Sequence, residues 1–295
     1  MEKDTKAGFI AVVGRPNAGK SSLLNFFVSE NITMVSHKAN ATRKRSDVIV
    51  MHEDAQLVFI DTPGLHDSEV LLNQYMMEEA IKAIGDADLI LFLSPVTDGL
   101  EDYEKFLKLN SKNIPHILLL TKIDQVSKEK LFKKITQFVK YQDKYIELIP
   151  TSIKKGTDIA QVLGIIARHL PTHPYYYDPE ILTTQNMKDI YRELIRGAIF
   201  DKTSKEIPYF SDVVIERVEE SLELEKVYAQ IIVDSKSQKG IVIGHDGATL
   251  QRIGKMARET IESLNGKKTF LKLFVVVKKG WSKDKKSLEE LGYNF

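Results

Sequence analysis

Residues Gly14 to Ser21, with the sequence GRPNAGKS, match the pattern G-x-x-x-x-G-K-[ST]. The apolar run 9–13 before them is long enough for a buried strand, and the residues after Ser21 favour a helix. In this context the backbone N–H groups of the glycine loop can turn toward a phosphate, and the helix adds its positive dipole end. Lys20 can reach the outer phosphates, and the Ser21 hydroxyl can ligate Mg²⁺. The pattern predicts a nucleoside triphosphate site rather than a glycine turn that merely caps a helix.

A second candidate residue, Asp61, follows the apolar run 56–60 and precedes Thr-Pro-Gly. An aspartate at the end of a buried strand can hold Mg²⁺ beside the phosphates, as the Walker-B aspartate of P-loop proteins does. Taken alone, this pattern is more typical of an Asx turn before a helix. The P-loop upstream favours the metal role. Ser21 and Asp61 are therefore predicted to share one Mg²⁺ ion.

Two further polar segments, 121–124 (TKID) and 151–154 (TSIK), each follow an apolar strand-like run. The carboxylate of Asp124 can accept two hydrogen bonds from the N1–H and N2–H₂ edge of guanine, and adenine offers no such pair. The aliphatic stem of Lys122 can lie along the base plane. The backbone at 152–153 can donate to the guanine oxygen. Each tetrapeptide is weak evidence alone, but four such elements in this order predict a guanine nucleotide.

The elements that must position these residues alternate between strands and helices. Apolar, strand-like runs lie at 47–51, 56–60, 88–93, 116–120 and 146–149, and helices are predicted at 101–110, 128–141 and 158–169. Near-continuous apolar strands separated by helices predict an α/β domain with a doubly wound, mostly parallel sheet covered on both faces. Ligands of such sheets bind at the carboxyl ends of the strands, where each motif falls. This first domain is predicted to span 1–170.

A proline-rich linker is predicted at 171–185, because three prolines fall within its first nine residues. Its three consecutive tyrosines are expected to pack the linker between domains rather than to stack on bases. A second, α+β domain is predicted at 186–295. Its elements are a helix at 186–200, strands at 212–219, 227–233 and 269–277, and a helix at 248–264. Trp281 is predicted to be a core residue.

Composition limits the class of protein. The 295 residues contain no cysteine, which removes disulfides and thiolate metal sites and favours a cytoplasmic location. No apolar run approaches the roughly 20 residues of a membrane span, and the first residues do not form a signal peptide. Between Lys236 and Glu290 there are 13 Lys and Arg against 6 Asp and Glu, whereas the rest of the chain has a net charge of −6. A basic C-terminal part on an acidic body is consistent with a polyanionic partner.

On these motifs, residues 8–170 resemble the GTPase domain of translation-factor-class small GTPases. The whole chain, including KKGW at 278–281 and LGY at 291–293, resembles the Era-type GTPases, which are bacterial GTPases with a C-terminal KH domain. The resemblance implies that the second domain is a type II KH domain. In that fold, two helices flank a G-x-x-G loop, here 244–247, that clamps about four nucleotides of RNA.

The resemblance also assigns roles to residues. The GTP or GDP site comprises Gly14, Arg15, Pro16, Asn17, Ala18, Gly19, Lys20, Ser21, Ser22, Asp61, Thr62, Pro63, Gly64, Leu65, Thr121, Lys122, Ile123, Asp124, Ser152, Ile153 and Lys154. Catalysis is assigned to Asn17, Lys20, Thr42 and Gly64, and Mg²⁺ to Ser21, Thr42 and Asp61. RNA contacts are expected from Lys239, Gly244, His245, Asp246, Gly247, Arg252, Lys255, Lys278 and Lys279.

Several positions depart from the family pattern or qualify its mechanism. Ala41 replaces the first threonine of the switch segment, and Thr121 replaces an asparagine whose longer amide normally braces the P-loop. Asp246 places an acid beside the expected RNA phosphates. Either Lys239, Arg252 and Lys255 supply the positive field, or the affinity for RNA is lower than in the family. Leu65 stands where many GTPases carry a glutamine that orients the attacking water, and leucine cannot hold a water. The resemblance implies that Asn17 marks GTPases in which K⁺ replaces an arginine finger, and slow unassisted hydrolysis is expected.

The sequence therefore predicts a GTP-hydrolysing switch coupled to an RNA-binding module. The resemblance implies an assembly factor of the small (30S) ribosomal subunit that contacts the 3′ end of its rRNA. We further expect a monomer that can associate peripherally with the inner membrane. Two alternatives stay open. One is a P-loop kinase of a small metabolite, against which Asp124 and Ser152 argue. The other is an RNA- or membrane-docking protein whose GTPase activity has decayed.

Overall fold

The computed structural model describes residues 5–28, 43–64, 71–203 and 207–293. The chain divides into two compact units. Within the described ranges, the first unit contains 5–28, 43–64 and 76–184, and the second contains 71–75 and the residues from 185 onward.

The first unit is built on a six-stranded sheet, counted over the described residues. Its strands, in chain order, are β1 (Lys6–Val13), β2 (Ser46–His52), β3 (Ala55–Asp61), β4 (Leu89–Pro95), β5 (His116–Thr121) and β6 (Leu148–Pro150). They lie in the order β2-β3-β1-β4-β5-β6, and only β2 runs antiparallel to its neighbour. Every residue of β3, β4 and β5 is buried, as expected for strands covered on both faces. The predicted doubly wound, mostly parallel sheet is confirmed.

Five helices accompany these strands among the described residues. They are α1 (Lys20–Val28), α2 (Leu71–Asp86), α3 (Glu101–Leu109), α4 (Lys128–Phe138) and α5 (Ile159–Arg168). Side-chain caps begin the last two, since Ser127 accepts from the amide of Lys130 and Asp158 from that of Gln161.

The predicted boundaries needed small corrections. The predicted helix 128–141 is α-helical only as far as Phe138 and continues as a 3₁₀ turn at 139–141. The strand predicted at 146–149 lies at 148–150.

Residues 171–184 run along the first unit. The amide of Ile49, on edge strand β2, donates to the carbonyl of Leu182 at 2.8 Å. The buried Gln56 side chain accepts from the amides of Tyr176 and Tyr177 and donates to the Tyr177 carbonyl. The Tyr176 ring lies 4.8 Å from that of Phe9. The segment therefore satisfies backbone groups that the outermost strand would otherwise expose.

The second unit contains α6 (Met187–Lys202), β7 (Ser211–Glu220), β8 (Leu224–Val233), α7 (Lys236–Ile243), α8 (Ala248–Asn265), β9 (Lys268–Val277) and α9 (Lys285–Glu290). Its described sheet has the order β7-β8-β9, with β7 antiparallel and β9 parallel to the middle strand. The core between this sheet and the helices contains Ile195, Val213, Ile231 and Ile253.

The last residues of the second unit are tied to a buried ionic cluster. Asp212 is fully buried, accepts from Arg192 Nη2 at 2.7 Å and accepts from the Tyr293 hydroxyl at 2.6 Å. Trp281 is also fully buried, and its indole N–H donates to the carbonyl of Phe210 at 3.3 Å. The prediction that Trp281 belongs to the core is confirmed. Among the described helices, none combines the length and apolar character needed to cross a bilayer.

Candidate nucleotide site and nucleic-acid interface

The loop between β1 and α1 folds around the ammonium group of Lys20. Lys20 is the first residue of α1, and its Nζ donates to the carbonyls of Gly14 at 3.1 Å and Arg15 at 3.2 Å. Burial lowers the pKa of Lys20 to about 8; the Asp61 carboxylate partly opposes this shift and the Arg15 guanidinium adds to it. The loop thus holds a buried cation where the sequence predicted phosphate binding.

Asp61 and Ser21 meet where the sequence predicted the metal ligands. Asp61 ends β3 with 1% of its surface exposed, and Ser21 Oγ donates to its Oδ2 at 3.3 Å. The next residue, Thr62, donates through its hydroxyl to the carbonyl of Val12, which ties the end of β3 to β1. A hydroxyl and a carboxylate side by side are the hard oxygen donors that Mg²⁺ prefers.

The residues after Asp61 pass close to the P-loop. A Cβ added to Gly64 would lie 2.6 Å from the backbone nitrogen of Pro16, so only glycine allows this approach. The short distance places the start of the Asp-Thr-Pro-Gly turn against the phosphate loop.

Arg15 is held by an ion pair that no sequence motif indicates. Its guanidinium makes two hydrogen bonds to the Asp98 carboxylate, one of them 2.7 Å long, and Asp98 raises the pKa of Arg15. Lys134 Nζ donates to the Asp98 carbonyl at 2.6 Å and fixes the same turn. Asp98 lies in the loop after β4, and no local pattern in 95–99 points to Arg15.

The TKID segment braces the P-loop. Thr121 is buried at the end of β5, and its hydroxyl donates to the carbonyl of Ala18 at 2.9 Å. Lys122 adopts a left-handed backbone conformation, with φ 58°, and its Nζ donates to the carbonyl of Asn17 at 2.6 Å. The Thr121 hydroxyl thus braces the P-loop directly, at the position where the family pattern has the longer asparagine amide.

Asp124 is oriented by the second polar segment. Ser152 Oγ donates to Asp124 Oδ1 at 2.7 Å, and this hydrogen bond lowers the pKa of Asp124. The Ser152 amide itself donates to Thr157 Oγ1 at 2.6 Å. Of the two amides predicted to meet the guanine oxygen, that of Ser152 therefore already donates a hydrogen bond within the protein. Ile153, which is 37% exposed, is the better candidate.

The G-x-x-G loop of the second unit joins α7 to α8. Gly244, Asp246 and Gly247 all have positive φ, at 75°, 48° and 79°. A Cβ on Gly247 would meet nothing within 4 Å, whereas one on Gly244 would collide with Thr249. The side chains of His245 and Asp246 are 95% and 89% exposed. The loop is open to an approaching backbone at Gly247.

A groove with a volume of about 680 Å³ runs from this loop between α8 and β9. Of the predicted RNA residues, Gly247, Arg252 and Lys255 line it. The groove is completed by residues that sequence reasoning missed: Leu250, Gln251, Gly254, Arg258, Thr269, Phe270, Leu271 and Leu273. Lys239 and Lys279 are not among the lining residues, and Lys278 instead pairs with Glu290 at 2.5 Å.

Comparison with known proteins places both units in one family. A model described as 50S ribosome-binding GTPase matches residues 9–122, and a model described as KH domain matches residues 206–282. The protein named GTPase Era from Campylobacter concisus is 50% identical over 98% of this chain and 100% of its own length. The one from Helicobacter pylori strain G27 is 46% identical over 98% and 97%. This chain belongs to the Era family of GTPases.

Two solved structures of Era proteins share the fold over almost the whole chain. A point variant of Aquifex aeolicus Era bound to GDP·AlF₄⁻ matches with a TM-score of 0.94 at 29% identity, over 99% of this chain and 100% of that one. Era in complex with MgGDPNP and nucleotides 1506–1542 of 16S ribosomal RNA matches with a TM-score of 0.93, at the same identity and coverage. The predicted GTPase and KH architecture is confirmed.

Some of the predicted family positions cannot be placed. Ala41, Thr42 and Leu65 lie outside the described residues, so the second metal hydroxyl and the position of the missing glutamine stay predictions. Lys154 lies in an exposed turn on the Asp124 side of the site, where its charge helps to lower the pKa of that carboxylate.

Proposed function

We propose that this chain binds and hydrolyses GTP and uses its KH unit to bind the rRNA of the small ribosomal subunit during assembly. The observation that carries the proposal is the Asp124 carboxylate, held by Ser152 beside a P-loop that Thr121 and Lys122 brace. Support comes from relatives named GTPase Era and from the similar Era structure with MgGDPNP and 16S rRNA nucleotides.

In the proposed complex, the P-loop amides and Lys20 contact the β- and γ-phosphates. Ser21 and Asp61, with Thr42 as a predicted third ligand, would hold Mg²⁺. The ion supplies positive charge to the phosphate oxygens when it is bound. Asp124 accepts from the guanine edge, and the Ile153 amide donates to the guanine oxygen. Each of these groups acts by position and charge, as phosphoryl transfer requires.

Hydrolysis breaks the bond between the γ-phosphorus and the β–γ bridging oxygen as a water oxygen bonds to phosphorus. GDP leaves with the electron pair, and the proton of the water ends on phosphate. Lys20 and the loop amides stabilise the negative charge that spreads over the phosphates. Leu65 offers no polar group to orient the water, so unassisted turnover is expected to be slow.

Asn17 is proposed to recruit K⁺ as the missing positive charge, with Thr42 sensing the triphosphate. Replacing K⁺ by Na⁺ at constant ionic strength should lower the hydrolysis rate. Single-turnover rates in the two salts measure this effect, and equal rates would remove Asn17 from the mechanism.

Thr42→Ala should slow hydrolysis far more than it weakens GDP binding, because Thr42 is predicted to meet the metal only in the triphosphate state.

The groove from Gly247 along α8 is proposed to hold about four nucleotides of single-stranded RNA. Arg252 and Lys255 would meet phosphates, and the apolar floor at Leu271 and Leu273 would meet bases.

Peripheral membrane association and a monomeric state are further proposals. Sedimentation with anionic vesicles and light scattering after size exclusion would test them.

Single-turnover hydrolysis with and without Mg²⁺, followed by RNA affinity measured with GDP and with a non-hydrolysable GTP analogue, tests the function. We expect Mg²⁺-dependent formation of GDP and phosphate without any phosphorylated metabolite, together with RNA binding that depends on the nucleotide. RNA binding without hydrolysis would instead indicate a decayed GTPase. Transfer of the γ-phosphate to a small metabolite would indicate the kinase.

A further inference from the structure

The sheet of the second unit has one face turned away from its helices. Val227, Ala229, Ile231 and Val275 on β8 and β9 point into the helical core. Side chains alternate along a strand, so the residues between them form the opposite face. We call this the outer sheet face: Lys226, Tyr228, Lys268, Phe270, Lys272 and Phe274.

The outer sheet face combines exposed aromatic rings with cations. Phe270 and Phe274 are 48% and 43% exposed. The rings of Tyr228 and Phe270 lie 6.3 Å apart, and Lys272 Nζ lies 5.2 Å from the Phe274 ring. Arg217, opposite Tyr228 on β7, places its guanidinium 4.3 Å from the Tyr228 ring. Aromatic platforms with interleaved cations are what single-stranded nucleic acids stack on.

The outer sheet face is continuous with the KH groove. A second cavity, of about 530 Å³, is lined by Lys226, Tyr228 and Lys268. It shares Arg258, Thr269 and Phe270 with the groove. The two depressions therefore meet around β9, and a chain that leaves the groove can pass Phe270 onto the outer sheet face.

The charges favour a polyanion along β9 rather than along β7. The outward residues of β9 from 268 to 274 alternate between lysine and phenylalanine, with no acid among them. The acids on this side, Glu216 and Glu219, lie on β7, and β8 separates them from β9. Glu219 pairs with Arg217 at 3.0 Å and with Lys226 at 4.0 Å, so the lysines of β9 are the cations left for a polyanion. Glu262 also lines the second cavity, where its carboxylate accepts from the Thr269 amide at 2.9 Å, and the cations Arg258 and Lys268 in the same lining outnumber it.

We propose that the outer sheet face is a second single-stranded RNA site that extends the KH groove. RNA that leaves the groove passes Arg258 and Phe270 and stacks bases on Tyr228 and Phe274, while Lys268 and Lys272 on β9 meet phosphates. The strand length between Phe270 and Phe274, roughly 13 Å, suits about two further nucleotides. This inference rests on the proposed function, in which the groove binds RNA.

Oligonucleotide length separates the two sites. Five- and ten-nucleotide RNAs taken from the 1506–1542 segment of 16S rRNA are titrated against the full chain by fluorescence anisotropy. Tyr228→Ala and Phe274→Ala should each weaken the ten-nucleotide RNA roughly five-fold or more, since stacking contributes that much per base. The five-nucleotide RNA should lose less than two-fold. Phe132→Ala, which removes a 67% exposed phenylalanine from α4 of the first unit, is the matched control and should change neither.

Lys272→Ala tests the outer sheet face without removing an aromatic ring. It should lower the salt slope for the ten-nucleotide RNA by about 0.7 in log–log units and leave the slope for the shorter RNA unchanged. Thermal unfolding and basal GTP hydrolysis confirm that each variant is folded.

Failure of the extension and failure of the proposed function give different binding results. If the wild-type chain binds both RNAs equally and the variants have no effect, the groove binds RNA but the proposed extension is wrong. The outer sheet face would then be a candidate surface for a protein partner. Equal losses for both lengths would also overturn the extension. If the wild-type chain binds neither RNA, the proposed function fails together with this inference.

Discussion

Thr121 and Lys122 are consecutive residues whose side chains donate to consecutive P-loop carbonyls, those of Ala18 and Asn17. Asp124 follows two residues later and is held by Ser152. The segment that selects the base is thus bonded directly to the loop that holds the phosphates. A substitution in either segment should therefore lower the affinity for the whole nucleotide.

Guanine selectivity should depend on the Asp124 carboxylate. Asp124→Asn leaves a base donor without an acceptor, which should cost about 2–3 kcal/mol, or roughly 30- to 150-fold in GTP affinity. The new amide can donate to the 2-oxo group of xanthine, so xanthosine triphosphate should bind better than GTP. Competition binding measures both affinities.

Asp158→Asn is the control for this experiment. It makes the same change at the N-cap of α5, where asparagine caps as well as aspartate. Unchanged GTP affinity and no gain of xanthine binding in Asp124→Asn would show that the base lies elsewhere.

Nucleotide binding should take up a proton above neutral pH through Lys20, whose pKa is about 8. Phosphates beside the ammonium raise its pKa, so at pH 8.5 the neutral fraction of Lys20 must be protonated on binding. Uptake of about three-quarters of a proton is expected at pH 8.5 and less than about a tenth from Lys20 at pH 7. Affinity should therefore fall as the pH rises through 8. Calorimetry of GDP binding in buffers of different ionisation enthalpy counts the protons; equal counts at the two pH values would contradict the expectation.

At the scale of elements, β5 and α3 meet in a buried titratable pair, His116 and Tyr103. His116 is 2% exposed, its Nε2 lies 2.8 Å from the Tyr103 hydroxyl, and burial lowers its pKa from 6.5 to about 4. Between pH 4 and 6.5 the unfolded chain binds more protons than the folded one, so acid favours unfolding. The stability that depends on neutral His116 is complete above pH 6.5 and is lost as the pH falls through 4.

His116→Gln should flatten that part of the pH dependence. The glutamine can still bond to Tyr103 but does not titrate. Relative to its own value at pH 7, the variant should lose less stability by pH 4 than the wild type, by an amount on the order of 3 kcal/mol. Denaturant unfolding of both proteins across this range measures the difference. Parallel pH profiles would show that His116 does not titrate in the folded state.

The elements also show which predictions a sequence supports. The P-loop and the Asp61 turn were predictable because each carries its chemistry in contiguous residues. The ion pair of Arg15 with Asp98 was not, because the partners are distant in sequence. The groove floor at Leu271 and Leu273 was missed since these residues look like ordinary core residues of a strand. Helix α2 was missed although one of its faces is buried at helical spacing, because apolar residues outside that face, such as Met77 and the exposed Ile81, obscure the pattern.

The exposed Asp246 of the KH loop offers a direct test of whether phosphates pass there. Asp246→Lys replaces a negative charge by a positive one on a side chain that is 89% exposed. RNA binding should tighten, and its salt dependence should steepen by about 0.7 in log–log slope if one phosphate contact is gained. Lys255→Ala or Arg252→Ala should do the reverse. An unchanged affinity in Asp246→Lys would place the RNA away from the loop.

At the scale of the whole molecule, the chain combines two compact units, each with its own core. Gly247 lies in the second unit and Lys20, Asp61 and Asp124 lie in the first. Gly247→Asp places bulk and negative charge where a Cβ meets nothing within 4 Å, so no neighbour has to move, although φ 79° adds backbone strain of about 1–2 kcal/mol. The RNA backbone can then no longer approach the loop. Single-stranded RNA binding should be abolished, and GTP hydrolysis without RNA should stay nearly unchanged.

Gly266→Asp is the matched control for this prediction. Gly266 caps the other end of α8 with φ 68°, and a Cβ there also meets nothing within 4 Å, so backbone strain and added charge are similar. It should keep its affinity for the five-nucleotide RNA, because Gly266 is not among the residues that line the groove. Equal loss of RNA binding in both variants would point to strain in α8 rather than to a blocked loop. Loss of basal hydrolysis in Gly247→Asp would show that the two units do not act independently, because the change lies in neither the phosphate loop nor the base site.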